Sequence, residues 1–324
     1  MMRNRFFKIV GILISMCMIV SLAGCQRNDD FGKKDGTTVV CTIFPIYDWV
    51  CEMTKGCDDV NVVLLAKNGA DMHSFQPTVK DFVTIADCDM FIYVGGESEE
   101  WIDDCLSQNP NESRAEVNLS DVLEEMLLEE NEEGILQGEE EEAEGEVEND
   151  EHIWLSIKRS KAAVEAIASV LSTKTTYADT LTENATLYEN NLDELDKEYE
   201  EFVSSCDNPW IIVADRFPFR YLVSDYGIEY HAAFSGCSAE TEASFDTILS
   251  LADTLAASDE KVLYITESGD EKLAATVMEQ AGKEVEVAVL NSVQAVSQTD
   301  IDSGSAHYID YMRSNLEVLK QYMK

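Results

Sequence analysis

Thr38-Val39-Val40-Cys41-Thr42-Ile43 is a short unbroken run of apolar and β-branched residues, and Val60-Asn61-Val62-Val63-Leu64-Leu65 and Met90-Phe91-Ile92-Tyr93-Val94 repeat it. Between these runs the apolar residues fall at helical spacing, first Ile46, Tyr47, Trp49, Val50 and Met53, then Val79, Phe82, Val83, Ile85 and Ala86. A strand that is apolar without alternation is buried on both faces. Strands that alternate with helices therefore imply a parallel sheet covered on each side. This places a first α/β lobe at about residues 37–155. The alternation returns in Trp210-Ile211-Ile212-Val213, Val262-Leu263-Tyr264-Ile265 and Val285-Glu286-Val287-Ala288-Val289-Leu290, which places a second lobe at 208–324. Residues 156–207 connect the two. Their apolar positions Leu181, Leu187, Leu192, Leu195, Tyr199 and Phe202 keep helical spacing, and no proline interrupts Ile157 to Ser205. The expected architecture is α/β, two lobes with mostly parallel sheets joined by a long rigid helix.

Upstream of the first strand the chain reads Met1-Met2-Arg3-Asn4-Arg5-Phe6-Phe7-Lys8, then an apolar stretch from Ile9 to Leu22 broken only by Gly11, Ser15 and Ser21. A cationic start followed by a short apolar run is the pattern of an export signal, here residues 1–24. The run closes in Leu22-Ala23-Gly24-Cys25, which resembles the lipobox of bacterial lipoproteins and marks Cys25 as the lipidated residue. Residues 25–36 are polar and charged, the composition of a flexible tether. The protein is expected on the extracytoplasmic face of the cell membrane, lipid-anchored. No second apolar run approaches membrane-spanning length.

With 64 acidic and 23 basic side chains the formal net charge is -41. Nucleic acid is excluded as a partner, because each phosphate contact needs a Lys or Arg that this surface lacks, whereas cations suit it. Apart from Cys17 and Cys25 there are seven cysteines, with no Cys-x-x-Cys pair. An odd number leaves at least one free thiol, and most are expected to serve as small buried hydrophobes, with any disulfide pairing unassigned. Residues 124–151 contain Glu139-Glu140-Glu141-Glu142 and many more carboxylates, so they are expected to form a disordered acidic loop that attracts divalent cations weakly.

Only four histidines occur, His73, His152, His231 and His307. His73 lies in the turn-rich Asn68-Gly69-Ala70-Asp71-Met72-His73-Ser74-Phe75-Gln76-Pro77, after the strand ending near Leu65, and so on the carboxyl-end side of a parallel sheet where open α/β folds bind ligands. His152 follows the acidic loop and precedes Ile153-Trp154-Leu155. Neutral imidazoles from two distant loops can close a cleft around a late first-row metal ion. His231 is expected to pack, and His307 to sit exposed or capping before the last helix.

Thr42-Ile43-Phe44-Pro45-Ile46-Tyr47-Asp48-Trp49, Asp71-Met72-His73-Ser74-Phe75-Gln76-Pro77-Thr78, Gly95-Gly96-Glu97-Ser98-Glu99-Glu100-Trp101 and His152-Ile153-Trp154-Leu155 occur in an order shared with one family. The chain resembles the zinc and manganese substrate-binding lipoproteins of metal ABC importers, in their zinc-binding branch. The likeness continues through Asp215-Arg216-Phe217-Pro218-Phe219-Arg220-Tyr221-Leu222, Tyr226-Gly227, Gly236 to Ser244 and the tail from Tyr308 to Leu316. It implies a divalent metal held between the lobes, an ABC transporter permease as partner, and His73 and His152 as the first two ligands. The family's third ligand falls on Arg216, whose guanidinium stays protonated and cannot coordinate, and the fourth falls near Asn291, a weaker donor than a carboxylate. Asp215 or Glu267, each at a strand end, are the candidates to complete the set, with Asp215 and Arg216 as structural ion-pairing residues the alternative. Two imidazoles with a carboxylate favour zinc, with manganese possible.

The reading that follows is a binding protein, not an enzyme. A secreted metallohydrolase would need an open metal position and a base, and the chain has no His-Glu-x-x-His, no Gly-x-Ser-x-Gly and no P-loop. A surface metal-buffering or adhesion lipoprotein, with the acidic loop as its main actor, is the other alternative.

Overall fold

The structure is a computed structural model that describes residues 36–130, 134–137, 149–237 and 243–324. The export signal, Cys25 and the tether to residue 35 lie outside the described residues, as does 138–148 with the glutamate run.

The first sheet holds β1 (Thr37–Cys41), β2 (Val60–Leu64), β3 (Met90–Tyr93) and β4 (Ala115–Asn118) in the order β2-β1-β3-β4, every pair parallel. Crossovers run through α1 (Phe44–Met53), α2 (Val79–Asp87), which opens on a capping box of Thr78 and Asp81, and α3 (Trp101–Gln108). A four-residue helix α4 (Leu119–Val122) follows β4. The second sheet holds β5 (Ile135–Gln137), β6 (Trp210–Phe217), β7 (Glu229–Ser235), β8 (Val262–Thr266) and β9 (Glu286–Leu290) in the order β5-β7-β6-β8-β9, again parallel throughout.

The unalternated strands divide their side chains between two cores, as the two-residue strand period dictates. Val39 and Cys41 face a large central core while Val40 joins Ile85, Phe91 and Ile102 on the outer face. Ile211 and Val213 face the same central core while Ile212 and Ala214 pack with Leu251 and Leu263 outside it. The inner faces of both sheets therefore share one continuous apolar interior, and Gly36–Lys324 forms a single compact unit.

The connecting segment is two helices rather than one. α5 (Ile157–Leu171) and α6 (Ala178–Val203) are separated at Ser172 to Tyr177. There the Ser172 and Thr173 hydroxyls donate back to the Ser169 and Val170 carbonyls, and Thr175 Oγ1 accepts from the Tyr177 N–H. Hydroxyl side chains that bond nearby backbone compete with helix continuation. α6 is the long helix, about 39 Å at 1.5 Å per residue. Its buried stripe is Leu181, Ala185, Tyr188, Leu192, Leu195, Tyr199 and Val203, whereas the expected Leu187 is 62% exposed.

The acidic segment departs from expectation as well. Glu124–Met126 forms a 3-10 turn, and Ile135-Leu136-Gln137, inside the stretch expected to be loop in the first lobe, forms the edge strand β5 of the second sheet. Ile135 packs against the central core and Leu136 against the outer one, so two apolar residues suffice to dock it. The remaining helices are α7 (Arg220–Tyr226), α8 (Phe245–Ala257), α9 (Glu271–Ala281), α10 (Gln298–Ser303) and α11 (Tyr308–Tyr322).

α11 ties these parts together. Its Tyr308 hydroxyl donates to the Trp154 carbonyl at 2.6 Å, and its Met312 carbonyl accepts from the Tyr199 hydroxyl of α6 at 2.6 Å. Asn315 holds the chain after β9, accepting from the Asn291 N–H and donating to the Asn291 carbonyl. At its N-terminus Asp48 of α1, 5% exposed, accepts from the Tyr308 N–H at 2.9 Å, and the His307 ring faces Asp48 and Glu52 at 3.6 and 3.5 Å. The hydrogen bond to Asp48 raises the His307 pKa above its ordinary 6.5, against a smaller loss from burial. A raised pKa means that the folded chain binds this proton more tightly than the unfolded chain, so the stabilisation is complete below 6.5 and disappears as pH rises past the raised value. His307→Ala is expected to lower the melting temperature at about pH 6 and to have little effect at about pH 9, a difference that paired thermal melts would measure. A loss equal at both pH values would contradict the ion-pair assignment.

Candidate metal centre

His73 is presented by the turn after β2. Asn68 and Gly69, both with positive φ (61° and 71°), reverse the chain, and the 3-10 turn Met72–Ser74 is capped by Asp71, whose Oδ1 accepts from the His73 N–H at 3.0 Å. The other Asp71 oxygen lies 3.0 Å from the Arg216 guanidinium of β6, so a residue of the second sheet braces the cap that aims His73. His152 is presented from the opposite direction, immediately before the 3-10 turn Ile153–Leu155. Asp150 Oδ1 accepts from its backbone N–H at 2.8 Å, and the Tyr221 hydroxyl of α7 holds the Asp150 carbonyl at 2.7 Å.

The two ring Nε2 atoms meet at 3.0 Å. Their Nδ1 atoms face outward to oxygen. His152 Nδ1 pairs with Asp150 Oδ1 at 3.1 Å, and His73 Nδ1 donates to Ser98 Oγ at 2.6 Å, whose own hydroxyl donates to Glu151 Oε2 at 2.5 Å. Glu151 reaches Ser98 because Gly96, at φ 99°, has no Cβ, and one built there would lie 2.3 Å from Glu151 Oε1. Protons on both Nδ1 atoms leave the Nε2 lone pairs aimed at one point. Carboxylate-backed imidazoles of this kind are the arrangement of metal-ligating histidines.

Two lone pairs 3.0 Å apart repel unless a cation lies between them, and a proton is the smallest that serves. Burial, then the neighbouring His152 charge, holds the His73 pKa well below its usual value. His152 is fully buried, which alone lowers its pKa, but Asp150, by charge and hydrogen bond, and then Glu151 and Glu130 outweigh that and raise it. The pair thus keeps its shared proton on His152, donated from Nε2 to His73 Nε2. Two nitrogens bound tetrahedrally to zinc at 2.0–2.1 Å stand about 3.3 Å apart, so the rings need part by only about 0.3 Å to exchange that proton for a metal ion.

The third donor beside them is Cys237. Its Sγ and the two imidazole nitrogens all lie within 4.8 Å of one another. The preceding Gly236 runs against the His152 ring so closely that a Cβ there would sit 2.9 Å from Cε1. Burial first, and then Asp150, Glu130 and Glu151, hold the free thiol protonated and push its pKa well up. Glu130 accepts from the Ser235 side chain and the Cys237 backbone N–H, while its Oε1 is buried with no hydrogen-bond partner among the described residues. Cys41, Cys57, Cys88, Cys105, Cys206 and Cys237 are free thiols.

The structure therefore brings His73 and His152 together but leaves Asp215 and Glu267 outside the group. Asp215 Oδ1 accepts from the Arg216 N–H, and its Oδ2 from both the N–H and the hydroxyl of Thr266, which splices β6 to β8. Glu267 accepts from Ser292 N–H and hydroxyl and from Ala295 N–H, caging the loop after β9. That loop holds Val293 at φ 61°, a conformation that costs a β-branched residue about 1–3 kcal/mol, and Asn291 Oδ1 is spent on the Val293 N–H. The two carboxylates are structural in this state. His231 packs edge-on against Trp210 within the second sheet. Asp48, Glu52 and His307 form a second donor group, described above at the start of α11. Cys237, Ser98, Asp150 and Glu151 are not singled out by their sequence context, although Ser98 and Cys237 lie in family-like stretches.

A family described as the zinc-uptake complex component A, periplasmic, or ZnuA, matches residues 39–322. The chain belongs to the ZnuA family. Among its relatives are the zinc-binding lipoprotein AdcA of Streptococcus pneumoniae, 31% identical over 324 residues, and the high-affinity zinc uptake system protein ZnuA of Bacillus subtilis, 28% identical over 328. Each alignment covers 97% of this chain. The chain spans 60% of the AdcA length and 98% of the Bacillus subtilis protein. Solved structures agree. The Zn(II)-bound ZnuA-like domain of Streptococcus pneumoniae AdcA superposes with a TM-score of 0.70 at 28% identity over 88% of this chain and 98% of that one. The metal-dependent lipoprotein YcdH of Bacillus subtilis gives 0.72 at 26% identity over 89% and 99%. The ZnuA family and these relatives are binding proteins, not enzymes, and the two parallel sheets with a long helix are the two-lobe fold of that family.

Two measurements probe the geometry. Asp150→Asn and Ser98→Ala, which remove the groups that fix the imidazole tautomers, should each weaken zinc binding about 10–100-fold, as such supporting partners do elsewhere, without unfolding the chain. Zinc affinity should also fall as pH drops through the raised His152 pKa, by up to about tenfold per unit, because the ion must displace the shared proton. Titrations across that range that show no pH dependence would contradict the shared-proton assignment.

Proposed function

We propose that this chain is the extracytoplasmic substrate-binding component of an ABC importer, anchored through lipidated Cys25, which captures a zinc ion on His73 and His152 and delivers it to a membrane permease. The observation that carries this reading is the convergence of two Nε2 lone pairs at 3.0 Å, each ring backed by a carboxylate, one directly and one through a serine. Kinship supports it, since AdcA and the Bacillus subtilis ZnuA are described by zinc binding and zinc uptake, and AdcA and YcdH as lipoproteins. Zinc is favoured over manganese because two imidazoles suit a borderline-soft ion, while manganese prefers carboxylate, carbonyl and water.

The strongly acidic surface attracts divalent cations of every kind, so selectivity has to reside in the buried pair. The role of the lobes is to hold that pair fixed, and the stiff α6 restrains wide opening.

The test is competition titration of the chelator-stripped chain lacking residues 1–25 with zinc and manganese. One tight zinc equivalent is expected, with His73→Ala and His152→Ala each weakening it by more than the 10–100-fold typical of a supporting residue. Deletion of residues 139–148 should leave this equivalent in place. Tight binding that survives both histidine substitutions but vanishes with the deletion would transfer the site to the acidic segment and reject the assignment.

A further inference from the structure

We propose that Cys237 is a direct zinc ligand in this chain, its thiolate occupying the coordination position that Arg216 and Asn291 leave vacant. The inference rests on the zinc reading of the His73 and His152 pair and adds to it the donor that sets the metal preference.

The residues at the family's remaining ligand positions, and the two carboxylates offered beside them, are already committed. The Arg216 guanidinium carries only donors and is bound to Asp71. Asn291 Oδ1 caps the Val293 N–H. Asp215 and Glu267 accept three hydrogen bonds apiece from backbone and hydroxyl groups. Cys237 alone among the described donors has its ligand atom within 4.8 Å of both imidazole nitrogens.

Zinc takes sulfur at about 2.3 Å and imidazole nitrogen at about 2.0–2.1 Å, so a tetrahedral ion spaces sulfur from nitrogen by about 3.6 Å. A group already gathered inside 4.8 Å closes to that spacing by moving about an ångström.

Two features hold the thiol in this position. Gly236 lets the backbone pass against the His152 ring where a side chain would collide. Glu130 accepts the Cys237 backbone N–H, pinning the residue, and its Oε1 is buried with no hydrogen-bond partner among the described residues. On binding, the S–H bond breaks, its proton leaves to water, and the sulfur electron pair forms the bond to zinc, with no redox change.

The ligand class has a consequence for selectivity. A thiolate strengthens binding of zinc and other thiophilic ions and does little for manganese, which favours oxygen.

Cobalt(II) substitution reads the bond directly, because a thiolate ligand gives a near-ultraviolet sulfur-to-cobalt charge-transfer band that nitrogen and oxygen ligands do not. The wild-type chain, stripped of residues 1–25, is expected to show this band and Cys237→Ser to lose it, while both keep visible ligand-field bands of cobalt on the histidines. Cys237→Ser should weaken zinc about 10–100-fold and manganese little, so that the zinc to manganese affinity ratio collapses. Equal melting temperatures of the metal-free proteins would show that the substitution spares the fold, and if they differ, the charge-transfer band of the wild type alone decides. A wild-type cobalt complex without the band, or a Cys237→Ser variant that binds zinc as the wild type does, overturns the proposal. If that happens while His73→Ala and His152→Ala still abolish binding, the zinc reading stands without the thiolate. If none of the three substitutions changes binding, the zinc reading falls with it.

Discussion

The apolar interior shared by the inner faces of the two sheets is the constraint on which everything else rests. It runs from Val39 and Cys41 of β1 through Trp49, Trp154, Leu192 and Tyr199 to Ile211, Val213 and Leu316. Parting the sheets widely would expose much of this surface at roughly 25 cal/mol per Å². A histidine on one loop and a histidine and cysteine on others can therefore be fixed relative to one another by packing several turns of helix away. α11 adds directional bonds to this non-directional force, joining Trp154, Tyr199 and Asn291 with three of its residues.

On that base the site is organised by charge. Asp150, Glu151 and Glu130 surround two imidazoles and a thiol, groups of which only His152 gains a proton readily. Burial disfavours bare charge on the carboxylates, raising the pKa of Glu151 and Glu130, and a divalent cation relieves this strain more fully than one proton does. The acidic surroundings and the basic ligands are thus parts of one arrangement. Arg216 belongs to it as well, not as a ligand but through the Asp71 cap that orients His73.

Much of the fold was legible because it depends on patterns. Unalternated runs such as Thr38 to Ile43 give parallel strands, and the apolar spacing from Leu181 to Phe202 gives the long helix. The break at Ser172 to Tyr177 was hidden because no proline or glycine marks it, only hydroxyls that turn back on the helix. β5 was hidden by its length of three residues within an acidic stretch. His73 and His152 stand out because histidine is rare here and each follows a turn. Asp215 and Glu267 look the same in sequence whether they face a cation or cap a neighbouring strand, and only the hydrogen bonds of Thr266 and Ser292 distinguish the two. Cys237 carries no spacing signal at all. Its significance comes from Gly236 passing the His152 ring, a contact between residues 84 apart in the chain.

The edge strand β5 has a further consequence. Gln137 is paired into the second sheet with Phe234, and Asn149, twelve positions on, bridges to Glu129. Both anchor points are set by other parts of the fold. Lengthening a segment between fixed ends costs only about 0.6 kcal/mol for each doubling. Heritable change between these two positions can therefore expand, shorten or recompose the sequence at little cost to the pairing of β5, so its charge and the arrangement of His73 and His152 are free to evolve separately.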